Sequence, residues 1–274
     1  YMSNTHNIYL ISDSTGETLE RIFMALKAQF EKFNHHLFHF SFTRTENQIL
    51  KILDEAQKKD DVVILYTIVD NKLGKFLSQE ANKKNIPCFS VLGDLILNFS
   101  KLLNQKATNI PSGQHALNEE YYKRIEAIQF TMNHDDGNSL TDVEKSDIIL
   151  LGVSRTSKTP TSIYLANRGF KTSNIPLVNE TSIPEKIKTN PKISCIIGLI
   201  ADANRLHDVR KNRLTTIKEV EKTDYIKLEK IQTELANSKK TFQKYQWPII
   251  DVTRKSVEET AASIIKIYEI YTNK

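Results

Sequence analysis

Residues 147–160, Asp-Ile-Ile-Leu-Leu-Gly-Val-Ser-Arg-Thr-Ser-Lys-Thr-Pro, carry side chains and spacing suited to holding phosphate. The apolar run Ile148–Leu151 reads as a buried strand that Gly152 ends, and Pro160 sits where a first helical turn begins. Gly152, Lys158 and Thr159 occupy the first-Gly, Lys and Thr places of G-x-x-x-x-G-K-[ST], with Ser157 in place of the second Gly. In such a loop, successive amide N–H groups and the positive end of the following helix hold phosphate oxygens. The loop Gly152, Val153, Ser154, Arg155, Thr156, Ser157, Lys158 and Thr159 is therefore the expected nucleotide-binding segment. Lys158 reaches the terminal phosphate, and the Thr159 hydroxyl is a magnesium ligand. A plain Ser/Thr-rich turn with an exposed Lys is the competing account.

Phosphoryl transfer asks a protein for positioning and charge neutralisation more than for covalent chemistry. A carboxylate at the end of a neighbouring strand would complete the magnesium site, and Asp202, closing Ile196-Ile-Gly-Leu-Ile-Ala-Asp, has that place. It is equally an N-cap for the helix that follows. Arg205, Arg210 and Arg213 are candidate phosphate contacts, or a solvated helix face. Arg155 lies inside the loop itself. Asp13-Ser14-Thr15-Gly16 is a second strand-to-helix turn, for an anion or for simple capping. His115 is a candidate base or phosphoryl carrier, or an exposed turn residue. Asp135-Asp136-Gly137 is a turn that could also hold metal or orient a hydroxyl nucleophile.

These residues need a scaffold, and 274 residues with 39% hydrophobic and 26% charged side chains are enough for two ordinary α/β domains. Net charge is +5, from 38 Lys+Arg against 33 Asp+Glu. That mild excess suits anionic substrates and lacks the basic density of a nucleic-acid binder. Cys88 and Cys195 form no metal or redox spacing. No run approaches the roughly 18–20 apolar residues of a membrane span, and none reads as a signal peptide. The expected setting is a reducing cytoplasm.

Strands and helices alternate along the chain, which predicts parallel sheets covered on both faces. The reading is an α/β protein: an N-terminal parallel α/β domain over 1–105, then a connecting segment at 106–146, then a P-loop kinase-like α/β domain over 147–274. The connecting segment holds an amphipathic helix whose stripe is Tyr121, Ile125, Ile128 and Met132. The last helix, about 257–271, opens with the capping-box pair Ser256 and Glu259. A Lys-rich helical region at 216–244 offers no motif.

Four segments recur together in one order: Ile-Tyr-Leu-Ile-Ser-Asp-Ser-Thr-Gly-Glu-Thr, Tyr-Tyr-Lys-Arg-Ile-Glu-Ala-Ile-Gln-Phe with His-Asp-Asp-Gly, Gly-Val-Ser-Arg-Thr-Ser-Lys-Thr-Pro, and Pro-Ile-Ile-Asp-Val-Thr. By them the chain resembles the pyruvate, phosphate dikinase regulatory proteins, relatives of the phosphoenolpyruvate synthase regulatory proteins. The resemblance spans nearly the whole chain, and Ser157 is part of that family's wording. It implies a bifunctional enzyme. One activity phosphorylates an active-site threonine of the dikinase with ADP as donor. The other removes that phosphate by phosphorolysis with inorganic phosphate, releasing pyrophosphate. The resemblance further implies ADP at Gly152–Thr159, Lys158 at the moving phosphoryl group, and a homodimer formed through the first domain. Phosphoenolpyruvate synthase as target, a nucleotide-sensing module without transfer, and a small-molecule P-loop kinase are the alternatives.

Overall fold

The computed structural model describes residues 5–113, 119–137, 141–190, 194–217 and 223–273. They fall into two compact units dividing between residues 116 and 117. Each contains a four-stranded, wholly parallel sheet.

In the first unit, β1 (His6–Ser12), β2 (His35–Phe40), β3 (Val62–Thr67) and β4 (Cys88–Ser90) lie in the order β2-β1-β3-β4. Helices α1 (Glu17–Lys27), α2 (Glu46–Ala56), α3 (Asn71–Lys83) and α4 (Gly93–Leu103) follow the strands. Alternation along the strands divides the core. Tyr9, Ile11, Ile64 and Tyr66 cluster with Ile49, Leu53, Leu77 and Ala81 of α2 and α3. Ile8, Leu10 and Leu65 cluster with Leu19 and Phe23 of α1. A capping box at Thr45 and Gln48 starts α2, and Asp70 caps α3. Helix α4 differs, since it buries none of its residues.

The second unit repeats the topology. Strands β5 (Ile148–Gly152), β6 (Thr172–Pro176), β7 (Cys195–Ile200) and β8 (Ile249–Asp251) lie in the order β6-β5-β7-β8. Its helices are α5 (Glu119–Asn133), α6 (Lys158–Ala166), α7 (Glu185–Thr189), α8 (Ala203–Ile217), α9 (Thr223–Ile226), α10 (Leu228–Lys244) and α11 (Val257–Thr272). Ile149, Leu151 and Ile196 face Ile231, Leu235 and Phe242 of α10, whereas Ile148, Leu150 and Ile197 face Leu165, Ala261 and Ile264 of α6 and α11. Gly198 lets α10 approach β7, because a Cβ there would lie 2.4 Å from the Phe242 ring. The Ser256–Glu259 capping box starts α11 as the spacing predicts. Among the described residues no helix is long and apolar enough to cross a membrane.

Helix α5 corrects the sequence reading twice. It packs on α6 and β6 within the second unit rather than standing in a connecting segment at 106–146. Its buried face is Ala127 and Thr131, while Ile125 and Met132 of the expected stripe are exposed. The reason is the edge of β6, whose outer N–H groups need partners. The Thr172 amide donates to Thr131 Oγ1 at 3.0 Å, and the Asn174 amide to the His134 carbonyl at 3.1 Å. Covering a strand edge this closely calls for small and polar side chains.

Candidate functional site

The strand-to-helix loop of the second unit lies between β5 and α6. Gly152 is required there, since a Cβ would lie 2.7 Å from both the Leu199 carbonyl oxygen and Thr156 Oγ1. Thr156 is fully buried and donates to the Val153 carbonyl at 2.9 Å, bracing the loop from inside. Arg155 and Ser157, on either side of it, take left-handed backbone angles with φ of 73° and 58°. Ser157 is the N-cap of α6 and makes no side-chain cap, so the helix's first amides are left to other partners. Such an arrangement presents N–H groups and the helix dipole to an anion.

Lys158 is 5% exposed and donates from Nζ to the Val153 carbonyl at 3.0 Å. Burial pushes its pKa down to about 8; Asp136 and Asp135 oppose that shift, and Arg210 and Arg155 add to it. Three cations and two carboxylates thus meet at the loop. Anionic oxygens entering beside Lys158 would complete the balance.

Of the two roles read for Asp202, the structure shows the helix cap. Asp202 Oδ1 accepts from the Asn204 and Arg205 amides at 3.0 and 3.1 Å, so it caps α8. The carboxylate bonded to Thr159 is Asp135: Thr159 Oγ1 donates to Asp135 Oδ1 at 3.0 Å. Asn174 Nδ2 donates to both, to Thr159 Oγ1 at 3.2 Å. His134 pins this turn in place. Its Nδ1 faces the Phe130 carbonyl at 2.7 Å and its Nε2 faces Asp142 Oδ1 at 2.8 Å. Asp136, next in line, is exposed.

Of the three helix arginines, Arg210 alone is buried; its Nη2 donates to the Ser154 carbonyl at 3.3 Å and to Glu234 Oε2 at 2.7 Å. Arg205 and Arg213 are exposed. His115 lies outside the described residues. In the first unit, Asp13 Oδ2 accepts from the Val69 amide at 2.7 Å, tying the β1–α1 turn to the β3–α3 turn. Asn174, Tyr225 and Glu234 escaped the sequence reading. Asn174 left one signal, since Thr172-Ser173-Asn174 is a polar run within a strand whose first four residues are all buried.

Among the described residues no group of three or more His, Cys, Asp or Glu side chains is arranged to hold a metal. The oxygen donors at the loop nonetheless suit magnesium, which takes one or two carboxylates and shares the rest with substrate phosphates and water. Thr159 Oγ1 and Asp135 supply such a set, and Asn174 Oδ1 beside them is buried without a hydrogen-bond partner.

A buried parallel strand running through Gly152 into a Lys-Thr helix start, with a carboxylate on the Thr, gives an α/β protein with a turn suited to an anion. The chain belongs to the kinase/pyrophosphorylase family, whose model matches residues 8–265. It is 68% identical over 272 residues to a Pelagibacter ubique protein named "putative pyruvate, phosphate dikinase regulatory protein", covering 99% of each chain. Proteins of the same name from Sphingopyxis alaskensis and Geotalea uraniireducens are 44% and 42% identical, over 98% and 96% of this chain and 98% and 97% of their own. The chain is thus a member of a phosphotransferase family whose relatives carry a dikinase-regulator name.

Proposed function

We propose that the protein regulates pyruvate, phosphate dikinase by transferring the β-phosphoryl group of ADP to a threonine of that enzyme, and by removing it again with inorganic phosphate. The observation that carries this reading is the convergence of Lys158, Thr159, Asp135 and Asp136 on one loop. The relatives' name supplies the target.

In the forward direction the threonine oxygen attacks the β-phosphorus of ADP, the bond to the α-phosphate oxygen breaks, and AMP leaves. Loop amides orient the diphosphate, and Lys158 offsets the charge that collects on the bridging and terminal oxygens. Thr159 and Asp135 are the residues to hold magnesium, which when bound supplies further charge neutralisation. Asp136, exposed and close enough to act on Lys158, takes the threonine proton in this reading. In the reverse direction a phosphate oxygen attacks the phosphothreonine phosphorus, the bond to the threonine oxygen breaks, and pyrophosphate leaves. Asp136 then returns a proton to the threonine.

The setting proposed is the cytoplasm, in keeping with two unpaired cysteines. The assembly proposed is a homodimer through the first unit, where α4 leaves Leu95, Phe99 and Leu102 exposed.

The test is incubation of the protein with the dikinase and β-labelled ADP. Label on a dikinase threonine, released as pyrophosphate on adding phosphate, is the expected result. Binding of ADP without transfer to the dikinase, or transfer to phosphoenolpyruvate synthase instead, would overturn the assignment.

A further inference from the structure

The loop has a neighbour that phosphoryl transfer leaves without a role. The Tyr225 hydroxyl lies 2.9 Å from Ser154 Oγ. Arg210 holds it there: its guanidinium lies over the Tyr225 ring, 4.6 Å from the centroid, and Nη1 donates to the Tyr225 carbonyl at 3.1 Å. Arg210 is 1% exposed and is itself fixed by Glu234 of α10 and the Ser154 carbonyl. Tyr225, Arg210, Glu234 and Ser154 therefore make one braced cluster at Ser154 of the loop.

Where that cluster sits matters for what the loop can hold. The helix N-terminus at Ser157–Thr159 takes one phosphate, and the loop lysine meets the outermost one. Lys158 Nζ lies on the Val153 carbonyl, one residue before Ser154. The lysine that is to meet the outermost phosphate therefore starts beside Ser154, the residue whose hydroxyl the Tyr225 phenol contacts. A further phosphate would have to displace a tyrosine that stacking and hydrogen bonds hold in place.

We propose that Tyr225, braced by Arg210, sets the length of the phosphate chain: the loop accepts a nucleoside diphosphate and rejects a triphosphate. This rests on the reading that the loop binds a nucleotide. It adds the residues that choose between donors.

The test is calorimetric titration of ADP and of ATP, each with magnesium, into the native protein, Tyr225→Ala and Tyr225→Phe. The native protein should prefer ADP. Tyr225→Ala should cut that preference about tenfold through tighter ATP binding, and Tyr225→Phe about threefold, because the ring remains. An unchanged preference in a folded Tyr225→Ala overturns the inference. If that variant does not fold, an unchanged preference in Tyr225→Phe does the same. A native protein that binds ADP and ATP equally overturns this inference alone, whereas one that binds neither removes the reading beneath it as well.

Discussion

Thr159 and Asp135, twenty-four positions apart in the chain, share a 3.0 Å hydrogen bond from the hydroxyl to the carboxylate. The carboxylate bonded to Thr159 therefore comes from the turn after α5, held against the edge of β6, while Asp202, just beyond β7, caps α8.

That relationship predicts separable effects for the two neighbouring carboxylates. Asp135→Asn should weaken the dependence of transfer on magnesium and lower the turnover by about 10²–10³-fold. Asp136→Asn should leave ADP binding within a few fold and remove about 10²–10⁴-fold of the transfer rate. Both substitutions take away a charge that raises the Lys158 pKa, so the alkaline limb of the pH–rate profile should move to lower pH. Steady-state kinetics between pH 6 and 10, with magnesium varied, checks all three.

Lys158 predicts a proton balance. Its pKa of about 8 in the free protein lies below the ordinary lysine value, and a diphosphate beside it favours the charged form. ADP binding should take up protons near pH 8 and above, and affinity should fall as pH rises through that range. Titrations in two buffers of different ionisation enthalpy measure the uptake. A binding heat independent of buffer at pH 8.5 would contradict it.

The same burial has a consequence for stability. A lysine whose folded pKa is depressed binds fewer protons folded than unfolded, so its contribution to stability rises from about pH 8 toward the unfolded value near 10.4. Below pH 8 the penalty of holding the charge is fully present. Lys158→Met should raise the stability of the ligand-free protein at pH 7 by about 1 kcal/mol or more, while abolishing both transfer directions. Urea unfolding at pH 7 and at pH 10 is the check, with the difference between variant and native protein shrinking at the higher pH.

Ser157 predicts a backbone effect. Its φ of 58° is one that a non-glycine residue adopts at a cost of about 1–2 kcal/mol. Ser157→Gly should be neutral or mildly stabilising, and Ser157→Val should be less stable than Ser157→Gly by about 1–2 kcal/mol. Equal unfolding midpoints for the two would contradict the assigned conformation.

Helix α4 predicts an assembly. Phe99 is 57% and Leu102 78% exposed on a helix with no buried residue. If this face pairs two copies, Leu102→Lys with Phe99→Lys should convert a dimer to a monomer in sedimentation, with the far-UV spectrum unchanged. A native protein that sediments as a monomer would sink the dimer.

The alternation of strand and helix made both sheets legible, because buried parallel strands such as Val62–Tyr66 and Ile148–Leu151 read as continuous apolar runs. The turn between β5 and α6 was legible because an apolar run ending in Gly152 and a Lys-Thr-Pro helix start mark it, with Gly152 forced by close approach to β7. The Asp135-Asp136-Gly137 turn was legible as one that could hold metal, but its pairing with Thr159 was not, since a hydrogen bond across twenty-four positions leaves no periodic trace, and Asn174 was not singled out at all. The α5 face was misread for a related reason: satisfying the β6 edge selects Thr131 and Ala127 over larger apolar residues. Arg210 could not be told from Arg205 and Arg213 without knowing that α10 places Glu234 beside it.

The most direct measurement is a crystal structure of the protein with ADP and magnesium. The account predicts the diphosphate inside the turn from Gly152 to Thr159, with Lys158 Nζ moved from the Val153 carbonyl onto a β-phosphate oxygen. Nucleotide bound at another place, with Lys158 still on Val153, would contradict it.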